Sequence, residues 1–253
     1  MPSDAMIDNI KFALALNRAV LGGEHQNGIG TYGEKMLHRT LKFYFEPDES
    51  KHEIDHLGSV ADILNENGII EIQTRSFSKL IPKLERFLEK DKVTVVCPII
   101  ENKTICRIDQ ESGETNPPRK SRKKGRVSDT LAEISLIRRF IPHENLNILV
   151  VMLDADETRL LKGRLKVGRK RTDKINCIPT SLNQIIDLRT TSDYYQLLPD
   201  GLKDEFTAVD FERISGHKGI GAHGALMLLL QLGILSRSRV GKEPYIYKIN
   251  YTK

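Results

Sequence analysis

Residues 60–75, VADILNENGIIEIQTR, are the stretch that decides the fold, because they predict a β-hairpin. Two runs rich in Val, Ile and Leu flank the pair Asn67 and Gly68. Both residues of that pair tolerate the positive φ of a tight hairpin turn. We therefore expect two antiparallel strands here, and the residues around them are expected to extend the same sheet.

The parity of the hairpin decides which side chains stand together. Side chains alternate along a strand, and directly opposed residues share a face. A two-residue loop sets Asp62 opposite Gln73, and a four-residue loop over 65–68 keeps the same parity, whereas an odd loop would turn Asp62 to the other face. The residues expected on one face are Asp62, Glu71, Gln73 and Arg75. The apolar face, expected in the core, carries Ala61, Ile63, Ile70, Ile72 and Thr74. An alternative interpretation makes the polar residues a solvated face of an amphipathic sheet.

The segments around the hairpin predict an α/β fold, in which a mixed sheet is flanked by helices. Apolar periodicity predicts helices at about 4–21, 33–45, 78–91 and 127–141, and apolar runs predict strands at 93–100, 104–108 and 147–153. We expect one domain over 1–180, with a basic linker at about 109–126 inside it, and a second domain over 181–253.

Asp62, eight residues and then Glu71-x-Gln73 together resemble the motif of the PD-(D/E)xK nuclease superfamily, which includes restriction endonucleases and archaeal junction resolvases. The order helix, hairpin, helix, strand, strand also matches that superfamily over about residues 33–109. The resemblance implies a restriction endonuclease-like fold in which Asp62 and Glu71 bind Mg²⁺ or Mn²⁺. A glutamate on the preceding helix often joins such a site, and Glu34 holds that place.

Gln73 departs from the superfamily pattern, which has a lysine at this position. That lysine is thought to orient the attacking water and to stabilise the charge that develops on the phosphate. A glutamine can hold a water, but it supplies no positive charge. Arg75 is the nearest cation on the same strand face, and Lys79, early in the next helix, is placed to reach back into the site.

Two of these assignments have rivals. Thr31 and Glu34 have the spacing of a capping box, in which Glu34 would bond to the Thr31 amide. Asp55, in HEIDH just before the hairpin, rivals Asp62, but it lies too far upstream to pair with Glu71 in a simple hairpin.

Three acids follow the strand predicted at 147–153: Asp154, Asp156 and Glu157. They could form a second metal site, and acids at the start of a helix explain them equally well.

Residues 119–126, RKSRKKGR, predict a segment that follows a phosphate backbone, because six of these eight residues are basic. They are Arg119, Lys120, Arg122, Lys123, Lys124 and Arg126. The alternative is a solvated linker. The chain has a net charge of +5, which favours an anionic partner, most commonly nucleic acid.

Residues 206–251 resemble a winged helix-turn-helix domain. Thr207 is a candidate N-cap for a helix through Ile214, a second helix is expected at about 222–232, and 234–250 would form the wing. The second helix enters the major groove in that family, but here it is mostly apolar and equally suits protein contacts. The residues that could read bases are His217, Lys218, His223 and Gln231. The expected phosphate ligands on the wing are Arg237, Arg239 and Lys242.

Composition predicts a globular, cytoplasmic protein. Hydrophobic residues make up 39% and charged residues 29% of the 253 residues. The cysteines, Cys97, Cys106 and Cys177, form no Cys-x-x-Cys pair, which is typical of a reducing compartment. No signal peptide and no run long enough for a membrane span is evident.

The leading hypothesis is therefore a metal-dependent DNA endonuclease, related to restriction or to mobile elements and expected as a homodimer. Asp62 and Glu71 would hold the metal ion, Gln73 would position water, and Glu34 would be an outer acid. A second hypothesis, motivated by Gln73, is a catalytically inactive DNA-binding regulator on a nuclease-like fold. A third is a protein-interaction module of a defence system.

Overall fold

A mixed sheet forms the centre of the molecule. The computed structural model describes residues 8–21, 32–74, 76–164 and 170–251, with only the backbone for 32–35, 163–164 and 170–171. Within these ranges the strands of the sheet are β1 His52–His56, β2 Ser59–Asn65, β3 Gly68–Ile72, β4 Val93–Asp109, β5 Thr115–Lys120, β6 Leu146–Arg164 and β7 Lys170–Leu188. The neighbour order is β1-β2-β3-β4-β6-β7, and β5 pairs with β4.

Helices cover both faces of this sheet. One face is packed by α1 Asn9–Leu21 and α2 Tyr32–Phe45, and the other by α3 Ile81–Phe87 and α4 Leu131–Leu136. The α/β class with a helix-flanked mixed sheet is thereby confirmed. No helix in the described part of the chain is long and apolar enough to cross a membrane.

The predicted hairpin is formed by β2 and β3, with its loop one residue earlier than the Asn-Gly pair suggests. Asn65 pairs with Gly68, which leaves Glu66 and Asn67 in the turn. The Asn65 side chain closes the turn by accepting the Asn67 amide at 3.0 Å. Gly68 instead begins β3 at a φ of +115°, where a Cβ would meet the Lys92 carbonyl oxygen at 2.4 Å. This register is the one that the four-residue loop over 65–68 predicts, so Asp62 and Glu71 share a face of the hairpin as expected.

The interpretation of the polar residues as a solvated sheet face is wrong. β3 is an interior strand, antiparallel to β2 and parallel to β4. Ile69 and Ile72, which face opposite sides, are 1% and 3% exposed, and Glu71 is 2% exposed. A strand with helices on both faces leaves neither face to water, so the Glu71 carboxylate must find its partners inside the protein.

The sheet extends further than the sequence suggests. The strands predicted at 93–100 and 104–108 are one strand, β4, with an irregularity between Ile100 and Asn102. β6 pairs with β4 as far as Asp109↔Leu161, so the acids expected at a helix start lie within a strand. The linker predicted over 109–126 contains β5. Such long strand pairing satisfies the hydrogen-bonding groups of the backbone. Local sequence patterns do not reveal it, because the partner strand lies elsewhere in the chain.

The helix predicted at 127–141 is broken into short pieces. 3₁₀ turns at Val127–Thr130 and Arg138–Phe140 flank α4. At the start of the first turn, the Asp129 carboxylate accepts the Arg126 amide at 3.1 Å, and the Arg126 carbonyl accepts the Asp129 amide at 2.9 Å. Leu131 and Ile134 of α4 are fully buried.

The C-terminal part has the expected order of elements. A small sheet consists of β8 Glu205–Thr207, β9 Leu235–Ser238 and β10 Ile246–Ile249, in the order β8-β10-β9. Between β8 and β9 the chain forms two helices, α5 Ala208–Ser215 and α6 Ile220–Gln231. Thr207 caps α5 as predicted, because its Oγ1 accepts the Asp210 amide and the Asp210 carboxylate accepts the Thr207 amide. The winged helix-turn-helix domain stays a prediction.

The apolar side of α6 packs against α4. A Cβ on Gly224 would meet the Ser135 Oγ at 2.4 Å, so glycine allows the close approach of the two helices. Leu226 and Leu229 of α6 belong to the same apolar cluster as β4 and β6 residues. The division into two domains stays a prediction, although β7 continues past residue 180 and the core is shared.

Candidate functional site

Asp62 lies where β2 and β3 begin to separate. The ladder of paired residues between them ends at Ile63↔Ile70. One step further, the Asp62 Oδ2 accepts the Ile72 amide at 2.8 Å, which ties the carboxylate to the backbone of β3. The same oxygen is 3.1 Å from Nε2 of His38 on α2. Burial raises the pKa of Asp62, but the His38 contact and the Ile72 amide outweigh it and hold the pKa below its ordinary value.

Glu71 is the buried acid of the site, and Lys83 of α3 is its partner. The Lys83 Nζ lies 3.0 Å from Oε1 and 2.7 Å from Oε2 of Glu71. The Lys83 side chain is 28% exposed, whereas the Glu71 side chain is 2% exposed. The pair therefore connects the sheet interior to the surface at α3.

The two carboxylates repel each other. Burial and then the charge of Asp62 raise the pKa of Glu71, Lys83 opposes both effects only in part, and the net result is a pKa of about 7. Glu71 therefore keeps its proton to a higher pH than an ordinary glutamate does. A pair of acids with separated pKa values is typical of functional sites, though buried ion-pair networks also produce it.

Gln73 follows the end of β3 and leads into a strained turn. Its amide donates to the Val96 carbonyl at 2.8 Å, and its Nε2 donates to the Ser76 carbonyl at 3.2 Å. Ser76 has a φ of +55°, which is uncommon for a residue with a Cβ. Buried Phe77 and Leu80 anchor the turn that follows. The side chain of Gln73 is thus held by the same turn that starts α3.

Two predicted site residues, the helical acid Glu34 and the strand cation Arg75, cannot be placed in the site. The Glu34 side chain and Arg75 lie outside the described residues, as does the capping box with Thr31. The backbone of Glu34 lies in α2, one turn before His38. Asp55, the rival acid, is exposed on β1 opposite Val60, so it takes no part in the site.

The donor set fits a hard divalent cation in its chemistry. Carboxylate oxygens are the ligands that Mg²⁺ and Mn²⁺ prefer, and a cation between Asp62 and Glu71 would relieve the repulsion that raises the pKa of Glu71. It would compete with His38 and Lys83 for the same oxygens. Among the described side chains, no group of three or more His, Cys, Asp or Glu residues is arranged to hold a metal ion.

The basic segment has two kinds of residue. Arg119 and Lys120 end the solvent-exposed strand β5, and the other exposed cations are Arg122, Lys123 and Lys124. Arg126 has a structural role instead: its guanidinium donates to the carbonyls of Ile214 and Ser215 at the end of α5, and to Asp129. Three hydrogen bonds engage this guanidinium, which has five N–H donors, so its assignment as a phosphate ligand stays a prediction.

The wing cations are exposed but partly engaged within the wing. The guanidinium groups of Arg237 and Arg239 lie 4.7 Å and 5.2 Å from the centre of the Tyr245 ring. Arg239 also donates to the carbonyls of Lys242 and Glu243. The aromatic ring thus holds both arginines at one edge of the small sheet.

α6 is poorly placed to read bases. One side packs on α4, the His217 Nε2 bonds to the Ser128 carbonyl at 2.8 Å, and Gln231 donates to the Arg138 carbonyl at 3.0 Å. These polar residues were candidates for base contacts. Tertiary packing uses them to hold α6 against the segment around α4.

Two side chains of the site, Lys83 and His38, were not identified from the sequence. Lys79 was expected to reach back into the site, but it is exposed, and the lysine that contacts Glu71 is Lys83. The signal was present, because both lysines lie off the apolar stripe of this segment and are one turn apart. His38 had only a weak signal, because a single histidine on a helix is more often structural.

Comparison with known proteins places the whole acidic pair within one family. A family model described as a domain of unknown function (DUF8091) matches residues 35–189. A protein of Treponema pallidum (strain Nichols) with the name "Uncharacterized protein" is 31% identical over 158 residues, which cover 62% of this chain and 61% of that protein. No solved structure matches the chain. Because the family match covers more than half of the chain, including Asp62, Glu71 and Lys83, the chain belongs to the DUF8091 family.

Proposed function

We propose that the chain is a metal-dependent nuclease that hydrolyses phosphodiester bonds of DNA. The observation that carries the proposal is the buried pair Asp62 and Glu71 at the point where β2 and β3 separate, with the Lys83 ammonium beside it. Two acids and a cation in contact are the group types that phosphodiester hydrolysis requires, and the pair has the spacing of the superfamily motif.

The residues would divide the work as follows. Asp62 and Glu71 would hold a Mg²⁺ or Mn²⁺ ion, which when bound lowers the pKa of a water molecule and stabilises charge on the phosphate. His38 and the Ile72 amide orient the Asp62 carboxylate. The Ser76 carbonyl orients the Gln73 carboxamide, which would position water.

Lys83 supplies the positive charge that Gln73 lacks. A lysine displaced by one element can serve the same phosphate, since the function needs an ammonium at the site rather than on β3. Its 28% exposure would let it approach a bound phosphate when a cation takes over the Glu71 oxygens. The Gln73 departure from the superfamily pattern is therefore compatible with activity.

Cleavage assays test the proposal directly. The purified protein is incubated with Mg²⁺ or Mn²⁺ and supercoiled, linear and single-stranded DNA. We expect cleavage that Glu71→Gln and Asp62→Asn abolish. Lys83→Met should lower the rate by about 10²–10³-fold, the usual effect of removing one group that stabilises the reacting charge. Lys90→Met, an exposed lysine just after α3, is the matched control. Intact DNA in every form, or a Glu71→Gln variant as active as wild type, contradicts the proposal.

A second candidate function is DNA binding without cleavage. Gln73 favours it, as does the engagement of both carboxylates by His38 and Lys83. It predicts salt-sensitive DNA binding that Glu71→Gln leaves unchanged, with no cut DNA at any metal concentration. The protein-interaction alternative stays a prediction, although three of the α6 leucines that motivated it, Leu226, Leu228 and Leu229, are buried.

A further inference from the structure

A cavity of about 420 Å³ opens along β4, between this strand and the basic segment. Leu37, which precedes His38, and Thr74, which follows Gln73, are among its lining residues. Its wall is apolar along β4, where Pro98, Ile99 and Ile100 line it. A volume of this size lies in the range of small-molecule sites.

The basic segment at 119–126 forms another wall of the cavity, and its backbone is hydrogen-bonded to β4. The Gly125 amide donates to the Glu101 carbonyl at 3.0 Å, and the Ser121 amide donates to the Lys103 carbonyl at 2.7 Å. A Cβ on Gly125 would lie 2.3 Å from the Ile100 carbonyl oxygen, so glycine is required for this approach. Lys123, between these two contacts, lines the cavity.

Four cations line the cavity: Lys103, Lys123, Arg159 and Lys174. The buried Glu157 of β6 fixes two of them, because its Oε2 accepts Lys103 Nζ at 2.8 Å and its Oε1 accepts Arg159 Nε. Glu157 is 2% exposed. Buried ion pairs add little net stability, so this arrangement has a clearer use in holding Lys103 and Arg159 towards the cavity.

We propose that this cavity binds a nucleoside phosphate, with the phosphate against the four cations and the base against Pro98, Ile99 and Ile100. The shared chemistry allows two sources, a free nucleotide or one nucleotide of a strand that enters the acidic site; the second source rests on the proposed function. Glu157 is a positioning residue, which acts only through Lys103 and Arg159. The cavity volume and its apolar wall favour a nucleotide over inorganic phosphate.

Binding is measured in EDTA, so that cleavage plays no part. The probes are dAMP and inorganic phosphate by titration calorimetry, and a 12-nucleotide single strand by fluorescence anisotropy. Lys123→Ala should weaken dAMP or the single strand about tenfold, and it should reduce the log–log salt slope for the strand by about 0.7, one phosphate contact. Lys90→Ala, an exposed lysine that is neither in the cavity lining nor in the basic segment, is the control.

Glu157→Gln separates positioning from net charge. It adds one positive charge to the cavity, so a purely electrostatic site would bind the probes more tightly. If Glu157 positions Lys103 and Arg159, binding weakens at least threefold at an unchanged melting temperature. Tighter binding by this variant overturns the positioning role.

The remaining outcomes are equally decisive. If dAMP binds, or only the strand binds, and Lys123→Ala weakens it, the inference holds and its source is identified. Equal effects of Lys123→Ala and Lys90→Ala, or phosphate binding as tight as dAMP binding, overturn it. Cleavage without this binding supports the nuclease proposal and contradicts the cavity proposal. Binding without cleavage supports the cavity proposal and contradicts the nuclease proposal.

Discussion

Replacing Glu71 with glutamine should stabilise the protein at high pH, although it removes half of an ion pair. Two effects oppose each other at this position. The Lys83 ammonium favours the charged carboxylate, whereas burial and the charge of Asp62 disfavour it, and their balance raises the pKa of Glu71 to about 7 from 4.5. Because Lys83 is 28% exposed, water can solvate its ammonium once the glutamate is gone. The loss of the pair should therefore be the smaller effect.

The raised pKa sets both the sign and the size of the change. The folded protein holds the Glu71 proton more tightly than the unfolded chain, so this contribution to stability is complete below pH 4.5 and is lost as pH rises through 7. At about 1.4 kcal/mol per pKa unit, ionised Glu71 lowers the free energy of unfolding by about 3 kcal/mol at pH 8. At pH 5 the penalty falls to about 1 kcal/mol.

Urea unfolding at pH 5 and pH 8, in EDTA, measures this difference. Glu71→Gln should exceed wild type by about 3 kcal/mol at pH 8 and by about 1 kcal/mol at pH 5. Glu89→Gln, an exposed glutamate after α3, should show no gap at either pH. A Glu71→Gln variant less stable than wild type at pH 8 would show that the Lys83 pair outweighs burial, and would refute the reasoning.

Three further predictions address the metal, the basic segment and the cavity wall. Millimolar Mg²⁺ should raise the melting temperature of wild type but not of Asp62→Asn, and EDTA should reverse the rise; equal shifts would count against the metal site. Arg126→Met should lower the free energy of unfolding by about 1–3 kcal/mol in urea, because two α5 carbonyls lose charged donors, while Lys124→Met changes it by less than about 0.5 kcal/mol. Gly125→Ala should lower the free energy of unfolding by more than about 2 kcal/mol, because the new Cβ would lie 2.3 Å from a backbone oxygen. Gly113→Ala, with open space around it and a φ of +72°, should lower it by about 1 kcal/mol. Equal losses would contradict this account.

Local signals predicted the local parts of the structure. Alternating Ile, Leu and polar residues predicted the β2–β3 hairpin, and its even loop preserved the parity that sets Asp62 near Glu71. The spacing of Thr207 and Asp210 predicted the capping box of α5. These features depend on residues that are close in the chain, where backbone geometry relates the sequence to the structure without further information.

Distant pairings were not predictable in the same way. Arg126 donates to the carbonyls of Ile214 and Ser215, 88 and 89 residues away, and its place in a basic run does not predict these contacts. The acids of β6 looked like a helix start because nothing local reveals the pairing with β4. In both places the deciding partner comes from another part of the chain.

The sequence by itself determined the candidate acids, their spacing and the helix-flanked mixed sheet, because periodicity and turn chemistry act over a few residues. The tertiary structure alone decided the state of those acids. It buried Glu71 between helix layers, brought Lys83 to its carboxylate and His38 to Asp62, and raised the pKa of Glu71 to about 7. Desolvation and charge interactions depend on distances through space, and a linear pattern does not contain those distances.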